Sequence, residues 1–366
     1  MQLKSFLRYP IDIHRARRLL ADRTERRPEL HQRPIVLDLR TPQLLFDCGR
    51  HLASLSHYAQ QAGSSFYVRS SSMMLAAMSR KIHGGEMLSD AGSHWLSTSE
   101  TLPEDALVLC DYVPKPDSND TRQYVQMLIG ADIDRSLPVM PYPMHPATLR
   151  TTDESDLQTL RANDRRCDIF FAGNQKSRYG DEKMQRNFAV QSRLEMLATL
   201  RQRFPDEIVE TATGVSKQQP IALVDSRLHP TPACDWLPTL SRAEFFLCCP
   251  GSSQPTCHNL IEAMCVGTIP LIEYGDRVTP ALRDGETAIC FKGRGELIDS
   301  VSRILAMPPQ EKRRLRENVI MFFEEHLRGE RFLARLRDGQ IGSQPKQICM
   351  PFHETNFYTR AETMVA

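Results

Sequence analysis

The sequence predicts an α/β chain built from two Rossmann-like domains, and three observations carry that prediction. Short continuous apolar runs, such as Ile35-Val36-Leu37 and Ala106-Leu107-Val108-Leu109-Cys110, alternate with helix-length segments, the pattern of parallel strands joined by crossovers. At 366 residues the chain is long for one hydrophobic core, and a 41% hydrophobic content is enough to fill two. The stretch Leu137–Pro146 holds four prolines in ten residues, which favours an extended connector and so divides the chain.

Residues 1–33 hold nine Lys or Arg (Lys4, Arg8, Arg15, Arg17, Arg18, Arg23, Arg26, Arg27, Arg33) against four acids (Asp12, Asp22, Glu25, Glu29). With Leu3, Phe6 and Leu7 nearby, this basic N-terminal segment reads either as a solvated helix packed on the first domain or as a peripheral contact with an anionic membrane or a lipid-linked acceptor. The first domain spans residues 34–136. Its strands are Ile35–Leu39, Ser65–Arg69 and Ala106–Cys110; its helices open at Cys48-Gly49-Arg50-His51 and run over Met73–Ile82. Tyr124–Ala131 reads as a short helix.

After the linker at 137–150 comes the second domain, 151–341. Cys167–Ala172 is its first strand, Gly173-Asn174 the turn beyond it, and Asn187–Phe204 a long amphipathic helix. Ile208–Thr211 and Ile221–Val224 are further strands. They lead to the stretch on which the function reading rests, Glu244–Phe291. There a strand at Phe245–Cys249 meets the turn Pro250-Gly251-Ser252-Ser253, a helix passes through Glu262 and Ala263, and strands follow at Thr268–Ile272 and Ala288–Phe291. Gly295–Ala306 and Gln310–Leu336 read as helices, and the tail 342–366 is expected to cross back onto the first domain.

In open parallel sheets a ligand sits beyond the carboxyl ends of the strands, which is where the Pro250–Ser253 turn falls. Gly251 lets the backbone approach a ligand closely, and Ser252, Ser253 and the N–H groups of the next helix suit a diphosphate. Glu262, one to two turns into that helix, is placed to accept both hydroxyls of a ribose, the alternative being a solvated helix glutamate.

The run Leu240-Ser241-Arg242-Ala243-Glu244-Phe245-Phe246-Leu247-Cys248-Cys249-Pro250-Gly251, followed by Glu262-Ala263-Met264-Cys265-Val266-Gly267-Thr268-Ile269-Pro270-Leu271-Ile272, resembles the donor-binding half of exostosin-type glycosyltransferases. More broadly it is similar to the GT-B glycosyltransferases, in which such a segment precedes one like Asp284-Gly285-Glu286 to Phe291. The resemblance covers roughly residues 165–320. It implies two Rossmann-like domains facing a cleft, with a nucleotide-sugar in the second domain and the acceptor on the first. The chain departs from the pattern at Cys257-His258-Asn259, where exostosins often carry Ser-x-Arg, and at Gln254, where retaining GT-B enzymes often carry a glutamate.

Lys176 and Arg178, in the turn after the second domain's first strand, are the cations expected to meet the donor diphosphate, with Gly173 opening that turn. The alternative for both is an exposed loop cation. Arg193 lies where exostosins carry a helix arginine and is a second-tier donor residue, with a structural ion pair as its other reading. His258 and Asn259 lie close enough to Glu262 in sequence to touch the donor. His51, with Asp47 as rival base or orienting partner, is the candidate to take the acceptor hydroxyl's proton; a surface histidine and a turn aspartate are the alternatives. The neutral amide at Gln254 favours an inverting reaction. Asp132 and Asp134 have Asp-x-Asp spacing but read as loop acids, since GT-B enzymes usually neutralise the diphosphate with Lys, Arg and helix N-termini; no metal and no cofactor beyond a UDP- or GDP-linked sugar is expected.

A net charge of +1, from 46 basic and 45 acidic residues, predicts no nucleic-acid partner. Ten cysteines without paired CxxC spacing read as reduced packing residues, which fits a cytosolic protein. No apolar run approaches the roughly 20 residues that span a bilayer, and no signal-peptide core stands at the N-terminus. The expected activity is sugar transfer from a nucleotide-sugar to a glycan, lipid-linked or secondary-metabolite acceptor. Two alternatives are a nucleotide-sugar epimerase of the same fold and a non-catalytic nucleotide-sugar-binding or scaffold protein. Oligomeric state is not legible in the sequence.

Overall fold

The computed structural model describes residues 3–21, 32–115, 118–129, 136–342 except 213, 215 and 217, and 345–351. The chain forms two compact units, one of residues 1–146 with 328–366 and one of residues 147–327.

The first unit opens with α1 (Leu3–Ala21), then β1 (Gln32–Asp38), α2 (Arg50–Gln61), β2 (Ser64–Ser70), α3 (Ser72–Arg80), α4 (Ile82–Ser89), β3 (Ser93–Ser97), β4 (Leu107–Cys110) and β5 (Gln123–Leu128). The second holds α5 (Pro146–Arg150) from its second residue on, α6 (Glu154–Arg161), β6 (Cys167–Gly173), α7 (Lys183–Phe188), α8 (Arg193–Arg203), β7 (Ile208–Val209), β8 (Ile221–Asp225), α9 (Ala233–Leu240), β9 (Ala243–Leu247), α10 (His258–Cys265), β10 (Ile269–Ile272), β11 (Ile289–Cys290), α11 (Gly293–Leu305) and α12 (Pro309–Phe322). The chain then returns to the first unit with α13 (Gly329–Arg337) and β12 (Gln347–Cys349).

Both sheets are wholly parallel. In the first, the order is β3-β2-β1-β4-β5-β12, the doubly wound order of a Rossmann domain with the C-terminal strand in the sixth place. In the second, the order is β7-β8-β6-β9-β10-β11. Strands buried on both faces must be apolar throughout, which is why Ile35-Val36-Leu37 and Leu107-Val108-Leu109 are fully buried and stand in register, Ile35 opposite Leu107. One core cluster of the first unit gathers Val36, Leu102, Ala106 and Val108 beneath Tyr67, Leu96 and Tyr124. In the second unit the Phe246 ring stacks on Phe171, meets Phe170 at a tilt and meets Trp236 edge-on at 6.4 Å.

Several elements differ from the sequence reading. Residues 123–128 form a strand instead of a helix: Val125 and Met127 alternate with partly exposed neighbours, and β5 pairs with β4 on one side and β12 on the other. The expected helix 187–204 is two helices. α7 ends at Ala189 in a left-handed conformation (φ 53°), and α8 restarts under a capping box made by Ser192 and Glu195. The expected helix 310–336 also breaks, because Arg328 adopts extended backbone (φ −79°, ψ 106°). Beyond that break α13 packs on α2 in the first unit, where a side chain at Gly329 would overlap the Tyr58 ring and buried Arg337 donates to Ala62 O and Ser64 Oγ. β3 was not foreseen; its Ser-His-Trp-Leu-Ser sequence is only half-buried and carries no apolar run.

α1 lies on α3 and α4. Its inner face carries Ala16 and Asp12; Asp12 pairs with Arg80 at 3.4 Å, and its carbonyl accepts from Ser79 Oγ. Residues 22–31, including Arg23, Arg26 and Arg27, lie outside the described residues. Among the described residues no helix is long and apolar enough to cross a membrane.

Candidate functional site

From β6 the chain winds towards β8 and β7; from β9 it winds the opposite way, towards β10 and β11. The two strands are neighbours, with Ile169 opposite Phe245, so the winding reverses between their carboxyl ends. That switch point is where a doubly wound sheet opens a crevice. Two turns stand there, Gly173–Lys176 after β6 and Pro250–Ser253 beyond β9.

Arg193, buried at the start of α8, ties them together. Its Nη1 donates to the carbonyl of Asn174 at 2.9 Å and its Nη2 to that of Pro250 at 2.9 Å. Each bond from a charged donor contributes about 1.5–3 kcal/mol. The planar guanidinium reaches both because its nitrogens form a fixed fork. Arg193 is in no ion pair among the described residues; its two terminal nitrogens bond to backbone. Gly173 is required by this arrangement, since a Cβ there would stand 2.8 Å from the Phe171 ring and 3.2 Å from Arg193 Nη1. Gly251 is equally constrained, with the Gln254 carbonyl 2.7 Å from the place a Cβ would occupy.

The 173–178 turn is held at several points besides. Ser226 N–H donates to the Gly173 carbonyl at 3.2 Å, Lys176 N–H to Asn174 Oδ1 at 2.9 Å, and Arg201 Nη2 to Gln175 Oε1 at 3.1 Å. Asp225, closing β8, accepts from Arg227 at 2.6 Å; this pairing and N–H groups including that of Gln175 hold its carboxyl below the usual carboxylate range. Lys176 and Arg178 project from the turn and are exposed. The Tyr179 ring lies between two guanidinium groups, Arg193 at 3.9 Å and Arg178 at 4.9 Å from its centroid.

Ser252 and Ser253 are half-buried in an irregular segment, and α10 begins only at His258. Cys257 at the N-cap makes no capping bond through its side chain. Asn259 Nδ2 makes a long contact, 3.5 Å, to the Ala172 carbonyl, joining α10 to the end of β6.

Glu262 is not a solvated helix glutamate: it is 0% exposed. Its Oε2 accepts from Trp236 Nε1 at 2.6 Å and lies 2.9 Å from Nδ1 of His258, one helical turn earlier. The His258 side chain is itself 27% exposed. Sequence reasoning missed Trp236; the sign was a tryptophan among small and polar residues just ahead of a core strand.

In the first unit the corresponding reversal lies between β1 and β4. Asp38, closing β1, is buried and accepts from Tyr112 Oη at 2.6 Å and Arg69 Nη1 at 3.1 Å. Burial and this bond to Asp38 push the Tyr112 phenol well up. Asp111 accepts from Arg40 N–H, Thr41 N–H and Thr41 Oγ1, and the Arg40 guanidinium lies 3.4 Å from the Tyr112 ring centroid. An acid closing each of two adjacent apolar runs was the available signal for this cluster.

His51 does not stand at a surface. It is 3% exposed, edge-on to Tyr142 at 6.0 Å, and burial, with the Arg50 charge, lowers its pKa well below the ordinary histidine value. Asp47 is reachable, its side chain 43% exposed and ion-paired with Arg50. Asp47, Cys48 and Gly49 run through three successive positive φ angles (52°, 63°, 77°) to aim the start of α2. A cavity of about 590 Å³, lined by Arg33, Asp105, Arg122 and Lys346 among others, opens at the amino ends of β1, β4, β5 and β12, at the opposite end of these strands from the first unit's switch point.

All ten cysteines are free, and burial pushes Cys110 to about 11 and Cys249 to about 12. Among the described residues no three His, Cys, Asp or Glu side chains gather as a metal site; Asp132 and Asp134 lie outside the described residues.

No protein-family model matches the chain, and no curated protein does. Solved structures overlap it at low similarity. WaaG, a glycosyltransferase involved in lipopolysaccharide biosynthesis, is 10% identical, with a TM-score of 0.38 over 83% of this chain and 100% of its own. A glycosyltransferase from Rickettsia africae is 8% identical, with a TM-score of 0.39 over 85% and 100%. Anabaena Alr3699/HepE in complex with UDP and glucose is 10% identical, with a TM-score of 0.41 over 83% and 100%. Likenesses at this level assign no activity to this chain.

Proposed function

We propose that this protein transfers a sugar from a nucleoside-diphosphate donor to a glycan, lipid-linked or secondary-metabolite acceptor. The observation that carries the reading is the switch point of the second unit, where Arg193 fixes the turn bearing Lys176 and Arg178 to the Gly251 turn. The resemblance of Leu240–Ile272 to exostosin-type and GT-B donor-binding segments supports it. In this reading backbone groups of the two turns, with Ser252 and Ser253, hold the diphosphate. Lys176 and Arg178 meet the charge that gathers on it as the glycosidic bond breaks, so that the charge needs no bound metal. His258 and Trp236, fixed by Glu262, contact the nucleoside or sugar.

The first unit supplies the acceptor side. The amide at Gln254 favours inversion, which needs a base for the acceptor hydroxyl. Of Asp47 and His51, Asp47 is the better base: its carboxylate reaches solvent, whereas His51 is enclosed.

Incubation with a panel of UDP- and GDP-sugars in the presence of a chelator tests the reading. Release of nucleoside diphosphate, slow with water and accelerated by a sugar acceptor, is expected, with inverted configuration at the anomeric carbon. Donor turnover that yields an epimerised nucleotide-sugar instead would contradict it, as would inertness towards every donor.

A further inference from the structure

We propose that α1 is a docking surface for an anionic lipid bilayer. The helix shows two faces. Asp12 and Ala16 point inwards against α3 and α4, while Leu7 is 70% and Ile11 66% exposed, one turn apart on the outer face. These two are among the six large apolar side chains left exposed among the described residues. Setting them one turn apart on an outward face is unfavourable unless something covers them.

Charge identifies the occupant. Arg8, Arg15, Arg17 and Arg18 are all exposed on α1 and flank the Leu7–Ile11 ridge, whereas the helix's single acid, Asp12, is buried in its ion pair with Arg80. The outer face therefore carries four guanidinium groups and no carboxylate. A second copy of the same face would be repelled. An apolar ridge between arginines matches a membrane interface, where apolar side chains enter the headgroup boundary and arginines reach lipid phosphates. α1 would lie on such a surface without crossing it. The inference stands apart from the nucleotide reading, since it concerns binding and not turnover.

Flotation of the full chain with vesicles tests it. Vesicles of phosphatidylcholine with about one third phosphatidylglycerol should carry at least about tenfold more protein than phosphatidylcholine alone. The double variants Leu7→Asp/Ile11→Asp and Arg15→Glu/Arg17→Glu should each reduce that binding by about tenfold or more, with unchanged melting temperatures because all four positions are exposed. Equal flotation with both lipids, or either variant floating like the wild type, would overturn the proposal. So would retention on heparin without flotation, or a wild-type dimer that Leu7→Asp/Ile11→Asp dissociates.

Discussion

Trp236 donates its indole N–H to the same Glu262 oxygen that faces Nδ1 of His258, at 2.6 and 2.9 Å, and the carboxylate beneath them is sealed from solvent. Glu262 thus positions both of these side chains. Glu262→Ala strands both partners and should cost about 2–3 kcal/mol of stability, several degrees in melting temperature. Glu262→Gln, which keeps an acceptor oxygen, should melt close to wild type. A fully stable alanine variant would show that the carboxylate is not the structural tie described.

Arg193 should not tolerate lysine. A single ammonium cannot reach the carbonyls of both Asn174 and Pro250 along the directions the fork uses. Arg193→Met and Arg193→Lys are each expected to weaken nucleoside diphosphate binding at least about tenfold, the equivalent of one lost charge-assisted bond or more. Wild-type affinity in the lysine variant, measured by calorimetry, would mean the turns hold their positions without the tether.

Asp47 and His51 separate by readout. Asp47→Asn should lower turnover about a hundredfold or more while nucleotide affinity holds. His51→Ala should act mainly on stability, by about 2–4 kcal/mol, as a large-to-small change in an enclosed place does. Turnover near normal in both variants would move the base elsewhere, and Asp38, closing β1, is the next group to replace.

His51 also imposes a pH dependence on folding. Burial lowers its folded pKa below the unfolded value near 6.5, so the unfolded chain takes up a proton that the folded chain refuses. Its contribution is present above pH about 6.5 and is lost as pH falls from there towards the folded pKa, with a slope of up to about 1.4 kcal/mol per pH unit. Denaturation series between pH 5 and 7 (the flanks of about 6.5) should show this slope reduced in His51→Phe. An unchanged slope in a folded variant would place the titration on another group.

The fold was legible where burial forces one kind of residue. β1, β4, β6, β8, β9 and β10 lie inside wholly parallel sheets, so their apolar runs are unbroken and readable. β3 at one sheet edge and β5 beside the three-residue β12 are only partly covered, and their mixed sequences read as loop and helix. The break at Ala189 is a tertiary event with no glycine or proline to announce it, whereas Gly329, next to the break at Arg328, was the available signal there. At the site, glycine turns and cations were legible because their chemistry is local. The tether from Arg193 to Pro250 and the seal of Trp236 on Glu262 join residues 57 and 26 positions apart, which only the fold brings together.

The turns at 173–178 and 250–253 form the proposed diphosphate site. It is tested most directly by titrating UDP and GDP, with uridine and guanosine as controls, into wild type and a Lys176→Ala/Arg178→Ala variant in the presence of chelator. At least one diphosphate should bind the wild type, and the variant should bind it at least about tenfold more weakly while its affinity for the nucleoside is unchanged. No binding of either diphosphate, or equal weakening of diphosphate and nucleoside, would contradict the account.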